Sequence, residues 1–232
     1  MTTIFAHRGF HLTEPENSMA AFAAAIKMKA EGIETDVHLT KDQVPVIMHD
    51  ESLKRMTGDP RYVNDLTLSQ LKELHLENSS EQIPTLFEFL SYLKEVDYPG
   101  ILNLEIKTDK IHYPEIEEIT LKVIQQVNVD CRVIFSSFYA PTLIKLHSMG
   151  NFECAYLFKF SDREALKLLQ AGVVQSLHPR YHYALRDQAF PVRAWTINRP
   201  LQMSKCFAKG LAGIFTDELE LAFQIRDNKK VI

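Results

Sequence analysis

The sequence predicts an α/β chain closed as a (β/α)8 barrel, the TIM barrel, with a small insertion after the second strand. Three observations carry this. Short apolar runs alternate with amphipathic segments from end to end, the strand-like runs number eight, and 232 residues hold eight β/α units with little left over. Such alternation implies parallel strands joined by helical crossovers, and eight of them in this length favour a closed barrel over an open sheet.

Residues 3–7 are the first apolar run, and 17–30 carry Met19, Phe22, Ala23 and Ile26 at helical spacing. Residues 32–39 read as the second strand, with 44–48 as a short extension ahead of His49. The rhythm breaks over 51–82, where 61–63 suggests a strand fragment and 69–74 a short helix. This insertion is expected to be too polar and too short to own a core. Regularity returns after Pro84 with a helix over 85–96, whose Leu86, Phe89, Leu90 and Leu93 share one stripe. Strands over 100–107, 132–136, 153–158, 173–177, 192–196 and 213–215 then alternate with helices over 114–127, 141–149, 163–171, 180–189 and 200–209. A helix over 218–226 follows the last strand. No repeat, low-complexity tract or linker divides the chain, so residues 1–232 are read as one domain.

Composition narrows the function. The formal charge is −4 with Lys and Arg scattered, which leaves no electrostatic footprint for nucleic acid. Cys131, Cys154 and Cys206 are odd in number and widely separated, and read as reduced buried thiols of a cytosolic protein. No apolar run approaches the roughly 20 residues of a membrane helix, and the first residues lack the pattern of a signal peptide. The expectation is a cytoplasmic enzyme with no stable membrane anchor.

Active sites of β/α barrels lie at the C-terminal ends of the strands, and the chemistry-bearing residues fall there in turn. His7 and Arg8 end the first strand, Glu34 and Asp36 lie on the second, His49 follows its extension, and Glu105 and Lys107 lie on the third. Strand alternation puts Glu34 and Asp36 on one face, about 7 Å apart. The same alternation turns Asn103, Glu105 and Lys107 to the barrel interior. Buried charges are costly unless paired or put to use. Glu34, Asp36 and Glu105 make an oxygen-rich site suited to one hard divalent cation, Mg²⁺ or Ca²⁺. Arg8 and Lys107 are then available to offset an anionic substrate. His7 and His49 divide the proton work at a phosphate ester, one deprotonating the attacking oxygen and the other protonating the leaving alcohol.

The ordered motifs His7-Arg8-Gly9, Pro15-Glu16-Asn17, Glu34-x-Asp36-Val37, Thr40-Lys41-Asp42, Pro45-Val46, His49-Asp50 and Arg55-x-Thr57 resemble the glycerophosphodiester phosphodiesterase family. Ile83-Pro84-Thr85-Leu86, Asn103-x-Glu105-x-Lys107, Trp195-Thr196-x-Asn198 and Gly213-Ile214-x-Thr216-Asp217 extend the resemblance over essentially the whole chain. It implies a β/α barrel with an insertion after the second strand, and hydrolysis of small glycerophosphodiesters such as glycerophosphocholine or glycerophosphoethanolamine to glycerol 3-phosphate and an alcohol. It also implies that Glu34, Asp36 and Glu105 are metal ligands, that His7 and His49 are the acid–base pair, that Arg8 and Lys107 lie near the phosphate, and that Trp195 lines the glycerol side of the pocket. The chain departs from the pattern at Gln43, where a turn glycine is common, at Ser18 in place of threonine, and at Glu218-Leu219 in place of a customary proline.

Other residues receive structural readings. Asn17 and Ser18 are both good N-caps, and capping is the first role assigned to Asn17. Asp50 is expected to orient the backbone or His49, Arg55 to brace the insertion, and His38 to be a structural histidine at the barrel mouth. Competing functions are a lysophospholipase D using the same site, a glycosidase, which would leave the histidines idle, and a non-catalytic phosphate or metal sensor.

Overall fold

The computed structural model describes residues 1–187 and 189–227. Its strands are β1 (Thr3–His7), β2 (Gly32–Leu39), β3 (Pro45–Ile47), β4 (Ile101–Ile106), β5 (Arg132–Ser137), β6 (Glu153–Phe158), β7 (Ser176–Pro179), β8 (Arg193–Ala194) and β9 (Gly213–Thr216). Eight of these pair in parallel in the order β7-β6-β5-β4-β2-β1-β9-β8. Parallel bridges Leu177–Val192 and Arg180–Trp195 bring β8 back beside β7, so the sheet is a nearly closed barrel. The extension β3 stands apart from the staves, turning back antiparallel on β2. Gln43 takes φ +61° in the turn between them, the backbone region that explains why glycine suits this position.

The helices are α1 (Met19–Lys27), α2 (Lys54–Thr57), α3 (Leu68–Leu71), α4 (Leu86–Glu95), α5 (Ile116–Val127), α6 (Ala140–Met149), α7 (Arg163–Gln170), α8 (Tyr181–Ala184), α9 (Pro200–Lys209) and α10 (Leu219–Arg226). Their ends follow local chemistry. Thr85 and Glu88 cap α4 reciprocally, each side chain accepting the other's backbone N–H. The αL conformation of Gly210 closes α9.

Side-chain alternation sorts the barrel into an outer core and an inner column. Ile4 and Ala6 of β1, Ile33 and Val37 of β2, and Leu102, Leu104 and Ile106 of β4 belong to the large apolar cluster that includes buried residues of the helices. The inner column begins with an apolar layer of Phe5, Ile134, Ala155 and Phe215, the two phenylalanine rings 4.8 Å apart. Gly32 leaves the space that Phe5 needs, since a Cβ there would lie 2.2 Å from the ring. Above this layer the inward positions turn polar, toward the C-terminal strand ends. Cys131, Cys154 and Cys206 are buried free thiols. No described helix is long and apolar enough to cross a membrane.

Several element boundaries differ from expectation. Strand β7 starts at Ser176, because the preceding Gly172 takes φ +72° and Val173 still hydrogen-bonds to Leu168 at the end of α7. The helix expected over 180–189 is one turn, and Gln188 lies outside the described residues. Tyr62 makes only a bridge to Ser52 before a 3-10 turn at Val63–Asp65. The insertion does own a core: Leu53, Met56, Val63, Leu66, Leu71 and Leu76 are buried with Val46, Met48 and Ile83. Its apolar residues are too irregularly spaced to register as a helical or strand period.

Candidate active site

The site forms where the polar layers of the inner column reach the strand ends. His7 ends β1 and Phe215 lies on β9. Glu34 and Asp36 project from β2, and Asn103 and Glu105 from β4, with Lys107 just beyond its end. Pairing of Glu34 with Asn103 and of Asp36 with Glu105 puts the three carboxylates on neighbouring staves at adjacent levels. A cavity of about 270 Å³ opens above them, lined among others by His7, Arg8, His49, Lys107 and Trp195. The structure therefore gathers seven of the eight residues proposed from sequence along one cavity, with Asp36 beside it, buried against Lys107.

Glu34, Asp36 and Glu105 each offer an oxygen within 4.8 Å of the others, and all three are buried. Burial, reinforced by the charges of Asp36 and Glu105, raises the Glu34 carboxyl well above the usual range. Burial likewise pushes Glu105 up to about 7 against the pull of Lys107. Burial works the same way on Asp36, but Lys107, His49 and Arg8 outweigh it and hold this carboxyl low. Lys107 Nζ sits 3.0 Å from Asp36 Oδ1 and 2.6 Å from Glu105 Oε1. Both oxygens are buried, and Lys107 takes up only part of their lone-pair capacity. Three converging carboxylates with two such oxygens fit a hard divalent cation.

The histidines are each held from one side. His7 Nδ1–H donates to Asp217 Oδ1 at 2.6 Å, which leaves Nε2 on the cavity side, 4.0 Å from Glu34 Oε2. Asp217 also accepts from His11 Nε2 at 2.9 Å and from Asn198 Nδ2 at 2.6 Å. Its carboxyl is kept low, because hydrogen bonds from His11 and His7 outweigh its burial. His49 Nδ1–H donates to Asp50 Oδ1 at 2.6 Å, and Arg55 binds the other Asp50 oxygen at 2.6 Å. Burial lowers the pKa of both His7 and His49, so each rests neutral near pH 7.

Backbone geometry supports the arrangement. Arg8 takes φ +58°, and its N–H donates to Glu34 Oε2 at 3.0 Å. Gly9 follows at φ +81°, pressed so close to α1 that a Cβ would lie 2.8 Å from Ala21. The Arg8 guanidinium binds Glu16, which Arg55 also reaches at 2.6 Å. Arg55 thus ties the insertion to Asp50 and Glu16 instead of bracing the insertion alone. Ser18, not Asn17, caps α1, accepting from Ala21 N. Asn17 at φ +57° turns inward, donating to Asp36 Oδ2 at 2.9 Å and accepting from Thr35. His38 is wholly buried, accepting from the Tyr113 hydroxyl and donating to the His49 carbonyl, and burial pushes it down to about 4. Asp217, Asn198 and His11 received no role from sequence. The signals available for Asn198 and Asp217 were the Trp195-Thr196-x-Asn198 and Thr216-Asp217 motifs at the ends of the last two strands.

Comparison with known proteins agrees with this geometry. A model of the glycerophosphoryl diester phosphodiesterase family matches residues 7–221. A glycerophosphodiester phosphodiesterase of Caldanaerobacter subterraneus subsp. tengcongensis is 34% identical over 94% of this chain and 95% of its own. One from Bacillus altitudinis is 33% identical over 99% of this chain and all of its own. Among solved structures, an Oleispira antarctica phosphodiesterase in complex with the product sn-glycerol-3-phosphate superposes with a TM-score of 0.86 at 26% identity, covering 98% of this chain and 97% of that one. The glycerophosphodiester phosphodiesterase of Thermotoga maritima gives 0.80 at 29% identity, covering 97% and 99%. A family match across nearly the whole barrel, with relatives at a third identity aligned end to end, establishes that this chain belongs to the glycerophosphoryl diester phosphodiesterase family of hydrolases.

Proposed function

We propose that the protein hydrolyses small glycerophosphodiesters to glycerol 3-phosphate and an alcohol, using His7 and His49 as base and acid around a carboxylate-held divalent cation. The observation that carries this reading is the pair of Asp-tethered histidines beside three buried carboxylates in one cavity. Glu34, Asp36 and Glu105 would hold Mg²⁺ or Ca²⁺, which when bound supplies charge stabilisation at the phosphoryl oxygens. Arg8 and Lys107 also line the cavity and add positive charge there.

The two histidines are tethered alike through Nδ1–H, and their difference in exposure supports the division of roles. With Nδ1–H committed to buried Asp217, His7 presents a neutral Nε2 lone pair to the cavity and accepts the proton of the attacking oxygen. That oxygen belongs to water or to the neighbouring glycerol hydroxyl, and as it bonds to phosphorus the bond to the head-group oxygen breaks. Attack by the hydroxyl gives a transient cyclic phosphate, which water then opens to glycerol 3-phosphate by breaking the newly formed bond. His49, more exposed and tethered to Asp50, must first take up a proton at Nε2 from solvent, and it delivers that proton to the leaving alcohol. An anionic substrate raises the proton affinity of His49, which suits it to the acid's part.

The test is to incubate the protein with glycerophosphocholine and glycerophosphoethanolamine and follow glycerol 3-phosphate, with and without chelator. Chelation is expected to abolish turnover, and restored Mg²⁺ or Ca²⁺ to recover it. His7→Ala and His49→Ala are each expected to lower kcat by about 10²–10⁴-fold. Turnover that survives chelation, or survives both substitutions, removes this mechanism.

A further inference from the structure

The inner column divides the cavity by depth. Asn103, Ser136, His178 and Phe215 lie deep and are almost wholly buried. Asn103 Oδ1 and both ring nitrogens of His178 are enclosed there without a hydrogen-bond partner, a polar floor matched to the hydroxyls of glycerol. The variable head group then faces the open mouth.

One half of that mouth is built from aromatic rings capped by cations. Phe138 and Trp195 meet edge to face with centroids 5.4 Å apart. Lys159 Nζ stands 5.2 Å from the Phe138 centroid, and the Arg180 guanidinium 5.6 Å from that of Trp195 and 5.8 Å from that of Phe160. Neither cation has a carboxylate within 4.0 Å among the described residues. Glu51, Asp109 and Lys110 also line the cavity, with Glu51 and Lys110 paired at 2.9 Å. Aromatic faces are the usual receptor for a quaternary ammonium, because the ring quadrupole attracts it. Here the protein's own cations occupy that role, and a trimethylammonium group entering beside them meets two like charges.

We propose that the Phe138–Lys159–Arg180 side of the mouth is a head-group subsite that takes a hydroxyl-rich alcohol and rejects a quaternary ammonium. This rests on the glycerophosphodiester hydrolysis proposed above. Lys159 and Arg180 supply donors and positive charge to such a head group, and the ring faces supply apolar contact for its carbon skeleton.

The experiment measures glycerol 3-phosphate release from glycerophosphoinositol, glycerophosphoglycerol and glycerophosphocholine at one ionic strength. The expected kcat/KM for the first two exceeds that for the third by about tenfold or more. The double variant Lys159→Met/Arg180→Met is expected to close the gap to about twofold, lowering the first two values and raising the third. Should that variant fail to fold, a salt series on the unmodified protein decides. Exposed charges are screened between about 0.05 M and about 0.5 M NaCl, so the preference shrinks over that range. Equal turnover of all three, a preference for glycerophosphocholine, or a gap unmoved by variant and salt overturns the subsite. Failure to release glycerol 3-phosphate from any of the three overturns the hydrolysis reading instead, and the subsite with it.

Discussion

In the proposed mechanism, Asp217 is the residue on which His7 most depends. Its Oδ1 takes the Nδ1 proton of His7, and Asn198 and His11 hold the carboxylate still. Asp217→Asn disturbs this tautomer with little change in volume, so kcat is expected to fall by about 10²–10⁴-fold. The sign of the pH effect follows from charge. Asp217 raises the proton affinity of His7, and a general base loses activity as it protonates, so the acid limb of kcat/KM should move to lower pH in the variant. Loss of rate with an unmoved limb would assign Asp217 a purely structural place. The strand residues of this site were legible because period-two alternation places Glu34 with Asp36 and Glu105 with Lys107 on one face. Asp217 and Asn198 were not legible in role, because Asp217 meets His7 only when β9 closes against β1 and Asn198 acts through Asp217. Asn17 was misassigned because an asparagine before a helix looks like a cap until its backbone proves left-handed.

Among the elements, the staves were legible and the insertion was not. β1, β2 and β6 start and end where their apolar runs do, whereas β7 slipped because an apolar Val173-Val174 pair finishes the α7 turn instead of starting a stave. The insertion lacked a readable period, yet its core positions Arg55 against Asp50 and Glu16. Met56 tests whether that core matters. It is 1% exposed, and its Sδ accepts from Arg55 Nη1. Met56→Ala should cost about 2–5 kcal/mol in denaturant unfolding with an unchanged slope, and should lower kcat/KM through the loosened Arg55. A loss under about 0.5 kcal/mol is what a coreless polar loop would give.

At the scale of the whole barrel, a closed interior forces titratable groups to fold in one protonation state, and this couples stability to pH. His178 is wholly buried against Phe215, and burial together with Arg193 depresses its pKa well below 6.5. Above pH 6.5 folded and unfolded chains both carry it neutral, and it makes no pH-dependent contribution. As pH falls below 6.5 the unfolded chain gains a proton that the folded chain refuses, so stability is lost from 6.5 downward until the depressed pKa is reached. Glu34 and Glu105, whose carboxyls are raised, work in the opposite sense by protonating earlier in the folded state, so the pH trend of the unmodified protein mixes both. Comparison with His178→Leu isolates the histidine, since the remaining groups are common to both proteins. Between about pH 7.5 and about pH 5.5 the unmodified protein should lose about 1.4 kcal/mol more than the variant, read from denaturant midpoints at each pH. Parallel losses in the two proteins would mean that His178 accepts its proton inside the barrel, with a hydrogen-bond partner in the cavity to receive it.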